Sequence, residues 1–185
     1  MARGLSKSPT SNRLFITFFL VLMGTAFFVS CANFYERTNF SLKKTAHHYR
    51  GNEEILDEES EYEYNEDLVQ EGFFFPKTYR EILEITHVHA FTIPLVSFVM
   101  SRIFSMTLTR EWIKISIYSL TFTGTLMNLS GPWLIRFKSN VFTASLTASY
   151  YILGFCFVFL MALPLYEMWF KPKEVDRNGN LQAPD

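Results

Sequence analysis

The chain has 185 residues, of which 49% are hydrophobic and 17% aromatic, and its formal net charge is -1. This near-neutral balance excludes a protein that binds nucleic acid through a strongly basic surface. Long apolar runs stand beside one acidic stretch, so this single domain belongs in a membrane rather than around a soluble core. The lipid bilayer is therefore the first expected partner.

Four stretches are long and apolar enough to cross the hydrocarbon core of a bilayer, which takes about 20 residues of helix. Because backbone polar groups in lipid must bond within the helix itself, each stretch is predicted to be a transmembrane helix. The predicted fold is an all-α membrane protein, a four-helix transmembrane bundle with a long acidic extracytoplasmic loop between helices 1 and 2. In chain order the predicted segments are an N-terminus (1–13), a first span (14–33), the acidic loop (34–81), a second span (82–101), a cytoplasmic loop (102–112), a third span (113–130), an extracytoplasmic turn marked by Gly131-Pro132 (131–140), a fourth span (141–170) and a tail (171–185).

The first span has two interpretations. A basic, Ser-rich start followed by an apolar stretch is typical of an uncleaved signal-anchor. The string FVSC at its end also resembles a lipoprotein signal cleaved before Cys31, although Phe28 and Val29 are bulkier than such sites prefer. We expect the signal-anchor.

The positions of Lys and Arg in the short flanking segments predict the orientation, because these residues resist translocation. Both termini are predicted to be cytoplasmic (N-in/C-in), in a multi-pass protein of the bacterial inner (cytoplasmic) membrane. The basic residues assigned to the cytoplasmic side are Arg3, Lys7, Arg13, Arg102, Arg110, Lys114, Lys171, Lys173 and Arg177. Trp112 and Trp169 at the inner interface and Trp133 at the outer one fit these boundaries.

Of the 18 acidic residues, 13 lie from Glu36 to Glu84, in the first loop and the first turn of the second span. One interpretation is a negative field that attracts cations or a basic membrane or periplasmic protein partner. The other, which we favour, is a solvated low-complexity segment. After the acidic run, Thr78 and Glu81 have the spacing of a capping box and predict the start of a helix.

All four histidines fall on the outer side of the predicted topology, in two pairs. Imidazole binds haem iron and divalent metals, and ionisable groups within a span are costly enough to suggest a site. Residues two apart differ by about 200° around a helix, so His87 and His89 cannot chelate one ion. Three interpretations stay open: haem b held by one of these two and a loop histidine, a divalent metal site, or anchoring at the interface through hydrogen bonds. The candidate metal ligands are His47, His48, His87, His89, Glu53, Glu54 and Glu84.

Helical geometry also predicts the neighbours of the second pair. His87 shares a face with Glu84, whose carboxylate is three residues earlier and within reach of the ring. His89 shares the opposite face with Thr86, Ile93 and Ser97. The Ser and Thr residues of spans three and four, together with Asn128 of span three, are expected to pack helices together rather than line a substrate path.

The strings HHYRGNEE, FPKTYREILEITHVHAF, GPWLIRF and LPLYEMW carry a resemblance. The chain resembles an uncharacterised family of small bacterial four-span inner-membrane proteins with YRGxE, FPKxYxEILEITHxH, PWLIR and PLYEMW segments. The resemblance implies no activity, and it makes the acidic stretch 56–71 an extension of the family pattern. The family positions that it implies are Tyr49, Arg50, Gly51, Glu53, Glu54, Glu84, Thr86, His87, His89, Pro132, Trp133, Arg136, Tyr166, Glu167 and Trp169.

Three of these segments converge on the outer face in the predicted topology. Arg50 and Arg136 would then meet Glu84 and the histidines of span two. A guanidinium there could pair with the Glu84 carboxylate or with a haem propionate. Tyr166 and Glu167 lie at the inner end and are expected to anchor the last helix.

No Walker loop, Ser/His/Asp constellation or CxxCH haem-attachment motif occurs, so an enzyme is not the expected class. The first functional hypothesis is a membrane protein that binds haem b or a divalent metal at its outer face in membrane-linked electron transfer. The second is a non-catalytic structural or assembly subunit of a larger membrane complex.

Overall fold

Five α-helices and one short turn of 3-10 helix make up the described part of the chain. The computed structural model describes residues 5–52 and 74–170. After an N-terminal turn (Leu5–Lys7), the helices are α1 (Thr10–Thr38), α2 (Leu42–Arg50), α3 (Tyr79–Ser105), α4 (Glu111–Phe137) and α5 (Phe142–Trp169). No strand occurs in these two ranges, which confirms the all-α fold class.

Three helices, α1, α3 and α5, are long and apolar enough to cross a membrane by length and composition. Helix α4 is equally long but carries a series of polar residues, and its neighbours cover many of them. Thr121, Thr125 and Asn128 are buried, and each threonine hydroxyl donates to the carbonyl four residues earlier at 2.8 Å. These polar groups therefore face protein rather than lipid, which is the packing role expected from the sequence.

The helix termini follow the sequence closely at one place and depart from it at two others. The capping box at the start of α3 is confirmed, with Thr78 Oγ1 accepting from Glu81 N and a Glu81 carboxylate oxygen accepting from Thr78 N at 2.7 Å. The segment 34–81 is not a loop throughout, because α1 continues to Thr38 and α2 forms within it. The turn predicted at Gly131-Pro132 is wrong, since α4 continues through both residues to Phe137.

Neighbouring long helices run antiparallel and stay in contact along their length. The order around the bundle is α3, α4, α5, α1, with α3 also contacting α5. The residue pairs that show this register are Ile117 with Cys156 and Gly131 with Leu146 (α4–α5), Tyr118 with Ser101 and Trp133 with Thr86 (α4–α3), and Thr17 with Trp169 and Phe34 with Tyr150 (α1–α5).

Gly131 is used for close helix packing instead of a turn. A Cβ atom added there would lie 2.8 Å from Leu146 Cδ1 and 3.0 Å from Leu146 Cβ, well inside van der Waals contact. Small residues allow such close approach between membrane helices. Pro132 is tolerated next to it because membrane bundles accommodate a missing backbone N–H inside a helix.

The N-terminal turn closes one end of the bundle. Leu5 is buried, and its N–H donates to one Glu167 carboxylate oxygen at 2.9 Å while the other accepts from Leu108 N at 2.7 Å. Arg13 donates to carbonyls of this turn and to Met168 O. Glu167 therefore anchors the last helix to two other segments. We call this the N-terminal end of the bundle and the opposite one, where α2 lies, the α2 end.

The close approach of α4 and α5 makes Gly131→Ala a destabilising change. We expect a loss of about 1–3 kcal/mol, because the new methyl must displace Leu146 in a packed core. The measurement is thermal unfolding of the purified protein in detergent. Gly154→Ala is the matched control, since its Cβ would lie 3.6 Å from the nearest atom, Phe27 Cζ. Equal unfolding temperatures for the two variants would contradict the packing argument.

Candidate functional site

Helix α2 lies across the ends of α4 and α5. Ser41 Oγ caps its start by accepting from Lys44 N at 3.5 Å, and Gly51 ends it with φ of 81°. This left-handed conformation favours glycine, and a Cβ there would also lie 2.7 Å from Pro76 Cδ. The chain can therefore leave α2 directly beside the segment that leads into α3.

Backbone hydrogen bonds join the segments on either side of residues 53–73. Asn52 N donates to Phe74 O at 3.1 Å, and Asn52 Oδ1 accepts from Phe74 N at 2.9 Å. Lys77 N donates to Tyr49 O at 3.0 Å. The described segments that end at Asn52 and begin at Phe74 are therefore held together directly.

Three of the sequence segments singled out above do meet at the α2 end. Arg136 Nε donates to Lys77 O at 2.9 Å, and Trp133 Nε1 donates to Thr86 Oγ1 at 2.7 Å. Tyr49 is buried against Ile135 and Leu146, and this burial raises the pKa of its hydroxyl, which keeps it protonated. The convergence expected from the sequence is present, but it is built from backbone carbonyls, aromatic rings and hydroxyls.

A cavity of about 230 Å³ lies between α1, α3, α4 and α5. Helix α1 packs chiefly on α2 and α5, and α3 chiefly on α4 and α5, so the cavity separates α1 from α3. Its walls are mainly apolar. Lining residues of both helices, Ala26 and Ser30 on α1 and Val88 and Thr92 on α3, are exposed at the protein surface. The cavity is therefore open sideways between these two helices.

The cavity becomes polar towards the α2 end. His89, Asn128 and Tyr150 line both the cavity and a recess of about 20 Å³ that adjoins it. Tyr49 and Thr86 complete the polar groups of the recess. A space of this size is enough for one water molecule, and it has several polar partners to hold one. An apolar chamber with convergent polar groups at one end is typical of a small-molecule site.

The hydrogen bonds of His89 and Asn128 fix their orientation. His89 Nδ1 lies 2.7 Å from Ile85 O, and a carbonyl only accepts, so Nδ1 carries the proton. Asn128 Nδ2 donates to Ser149 Oγ at 3.2 Å, while Ser149 Oγ donates to Leu146 O at 2.6 Å. Both side chains are therefore held in place by helix backbone or by a neighbour that is itself bonded.

Comparison with known proteins gives one family. The model of the Aq_1264_TM family, described as a transmembrane helical domain, matches residues 39–175. The chain belongs to this family. As a member of the Aq_1264_TM family it is an integral membrane protein, and the matched residues include α2 to α5 with the whole polar end of the cavity. No curated protein and no solved structure matches the chain.

The Aq_1264_TM match describes a domain and names no site residues. The site residues predicted from the sequence are therefore compared with the structure alone. Of the second histidine pair, His89 faces the cavity with Ile93 and Ser97, as its helix face predicted. His87 is exposed and contacts the Phe91 ring edge to face, with centroids 5.3 Å apart. Glu84 does not reach it, because its carboxylate accepts from Arg80 Nε at 3.0 Å on the exposed surface.

The expected cluster of arginines and histidines does not form. Arg136 is held by Lys77 O and stacks over Phe137 at 5.6 Å, and Arg50 is half-buried at the end of α2. The loop pair, His47 and His48, also lies on α2, and neither lines the cavity. A backbone carbonyl and an aromatic face are the partners of Arg136, so its guanidinium group serves the fold of the α2 end.

The arrangement of possible ligands bears on the metal hypothesis, and the cavity volume bears on the haem hypothesis. Within residues 5–52 and 74–170, no three of His, Cys, Asp and Glu gather as a metal ion would need, and Glu53 and Glu54 lie outside these ranges. His89 does have the arrangement of a ligating imidazole, because its other nitrogen donates to a carbonyl. A cavity of about 150 Å³ holds one benzene, so 230 Å³ suits a single substituted ring better than four pyrroles.

Sequence reasoning missed two residues of the polar end. Asn128 was assigned to helix packing, and Tyr150 was not singled out. Asn128 could have been found from the sequence, because it is the one carboxamide side chain in the apolar part of α4. Tyr150 carried no local signal, because its role depends on stacking against Phe34 of α1 at 3.9 Å.

His48 should make the stability of the α2 end depend on pH. Burial, together with the positive charges of Lys77 and Arg37, lowers its pKa to about 4, whereas the unfolded chain has the ordinary value near 6.5. The folded state therefore binds fewer protons, and its stability should fall as pH drops from about 6.5 towards 4. His48→Gln should flatten this dependence in thermal unfolding measured from pH 7.5 to 4.5. The control His87→Gln, at an exposed position, should keep the wild-type slope, and parallel curves for all three proteins would refute the assignment.

Proposed function

We propose that this protein binds a small amphipathic molecule that it takes from the bilayer into the cavity between α1 and α3. The observation that carries this proposal is a chamber of about 230 Å³ with apolar walls, a lateral opening and a polar end. Ligand sites in membrane and soluble helix bundles occupy this kind of position between helices. A ligand bound there would have its apolar part along α1 and α5 and its polar group at His89, Asn128 and Tyr150.

The proposal includes a fourth span. Helix α4 has 27 residues and would be about 40 Å long at 1.5 Å per residue. It follows α5 in antiparallel register from Ile117 beside Cys156 to Gly131 beside Leu146, and α5 is one of the apolar candidate spans. A helix that accompanies a spanning helix along this length crosses the same depth. Both termini then lie on one side, which we assign to the cytoplasm of a bacterial inner membrane.

Lateral access agrees with the exposed parts of the cavity wall. Val88 and Thr92 on one side and Ala26 and Ser30 on the other face both the cavity and the protein surface. In a membrane that surface contacts lipid, so an apolar molecule can reach the chamber without passing through water. The binding of haem b through His89 stays a prediction from the sequence, as does a role in electron transfer. The volume of the chamber favours a ligand with a smaller ring than haem.

Filling the chamber should block binding. The probe is an alkylbenzene carrying a diazirine, added to the protein in proteoliposomes and activated by light, with labelled peptides mapped by mass spectrometry. We expect cavity peptides of α1 and α5 to be labelled in the wild type and labelled several-fold less in Ser97→Phe, because Ser97 lines the cavity. The control Ala90→Phe adds the same ring to an exposed position of α3. Equal labelling of the three proteins would mean contact with lipid-dissolved probe alone, and the proposal would fail.

The four-span topology is tested separately with single cysteines. In a background with Cys31 and Cys156 replaced by Ala, Asn140→Cys lies in the connection between α4 and α5, and Leu108→Cys in the one between α3 and α4. In spheroplasts, a membrane-impermeant maleimide should label Asn140→Cys and should label Leu108→Cys only after permeabilisation. Labelling of both in intact spheroplasts would show that α4 does not cross, and the reverse pattern would overturn the orientation.

A further inference from the structure

We infer that the ligand of this cavity is an alkylated phenol or hydroquinone, a ring whose hydroxyl group donates a hydrogen bond to His89 beside Asn128. The inference rests on the proposed function and adds the chemical class of the ligand. Some hydrogen-bonding atoms at the polar end are not used by bonds within the protein, and these atoms indicate which ligand group would fit.

His89 offers an acceptor. Its Nδ1–H is used by Ile85 O, and in this tautomer the ring presents a lone pair at Nε2. No hydrogen bond to this nitrogen occurs within the described residues, and the ring lines both the cavity and the recess. This nitrogen lines an apolar chamber, so a ligand hydroxyl at this point would gain the bond that the protein leaves unmade.

Asn128 offers a second acceptor. Ser149 Oγ donates its only proton to Leu146 O, so it must accept the hydrogen bond from Asn128. The amide nitrogen of Asn128 is therefore the atom that faces Ser149. The amide oxygen is then the atom left for the cavity that Asn128 lines. Asn128 already has a hydrogen-bond partner at this end in the Tyr150 hydroxyl, whereas His89 Nε2 has no donor among the described residues. A ligand hydroxyl can donate its one proton to His89 Nε2, where a ligand with only carbonyl or ether oxygens would place acceptor against acceptor.

The chamber suits a ring. Its volume exceeds by about half that of a cavity known to hold benzene, which leaves room for one ring with substituents. The wall includes Phe27 and Phe157, whose rings stack with centroids 4.5 Å apart, and Tyr150 borders the polar end. Aromatic faces and edges at these distances favour a further aromatic partner. An alkyl substituent can leave through the opening between α1 and α3 into lipid.

The experiment compares two molecules of nearly equal shape. In proteoliposomes, 4-hexylphenol and its methyl ether, 4-hexylanisole, compete with the diazirine probe, and each concentration is corrected for partition into protein-free vesicles. The phenol should displace the probe from the wild type at about two- to tenfold lower membrane concentration, since a neutral hydrogen bond contributes that much. Equal competition by phenol and ether would overturn the inference.

Variants at the two histidines locate the acceptor. His89→Phe should remove the preference for phenol while leaving competition by the ether, and His89→Gln, which restores an acceptor oxygen, should recover part of it. His87→Phe makes the same substitution two residues away on the exposed face and should keep the wild-type preference. A preference that survives His89→Phe would contradict the assigned partner.

The outcomes separate this inference from the proposed function. If the probe labels the cavity and Ser97→Phe blocks it, but phenol and ether compete equally, the binding function stands and the hydroxyl assignment falls. If no cavity labelling is seen, the binding function itself fails. A third competitor, 1-nonanol, has the hydroxyl without the ring, and competition equal to that of the phenol would overturn the assignment of an aromatic ligand.

Discussion

The close antiparallel contact of α4 with α5 is the constraint on which the remaining structure depends. Gly124 and Gly131, seven residues apart on α4, let α5 approach closely, since an added Cβ would lie 3.1 Å from Leu153 at the first and 2.8 Å from Leu146 at the second. Asn128 lies between these glycines and donates to Ser149 across the same interface. The contact therefore does two things at once: it hides Thr121, Thr125 and Asn128 from lipid, and it fixes the amide that borders the cavity.

Because α4 and α3 occupy one side of α5, α1 is left to pack on the other side and on α2. A four-helix bundle closes when its first and last neighbours meet, and here α1 and α3 are held apart by the chamber between them. The aromatic contacts of α1 with α5, Phe27 on Phe157 and Phe34 on Tyr150, keep α1 in place without closing the gap. The opening to lipid is thus a consequence of how few partners α1 has.

Much of the local structure could be predicted from the sequence, because its signals are local. Hydrophobic length placed the long helices, the spacing of Thr78 and Glu81 gave the start of α3, and the helical period put His87 and His89 on different faces. Gly131-Pro132 misled, because the same pair that favours a turn in water is accepted inside a packed membrane helix. The cavity could not be predicted, since it is formed by four helices whose relative positions depend on contacts distant in sequence.

The polar end of the cavity also depends on the α2 end. Tyr49 borders the recess from α2, and its position is fixed by the backbone bond from Lys77 and by burial against Ile135. Asn52 and Phe74 close the chain with two hydrogen bonds before and after residues 53–73. Lengthening a segment whose ends are already held together adds little loop-closure cost. The position of Tyr49 beside the recess therefore does not depend on the length of chain between Asn52 and Phe74.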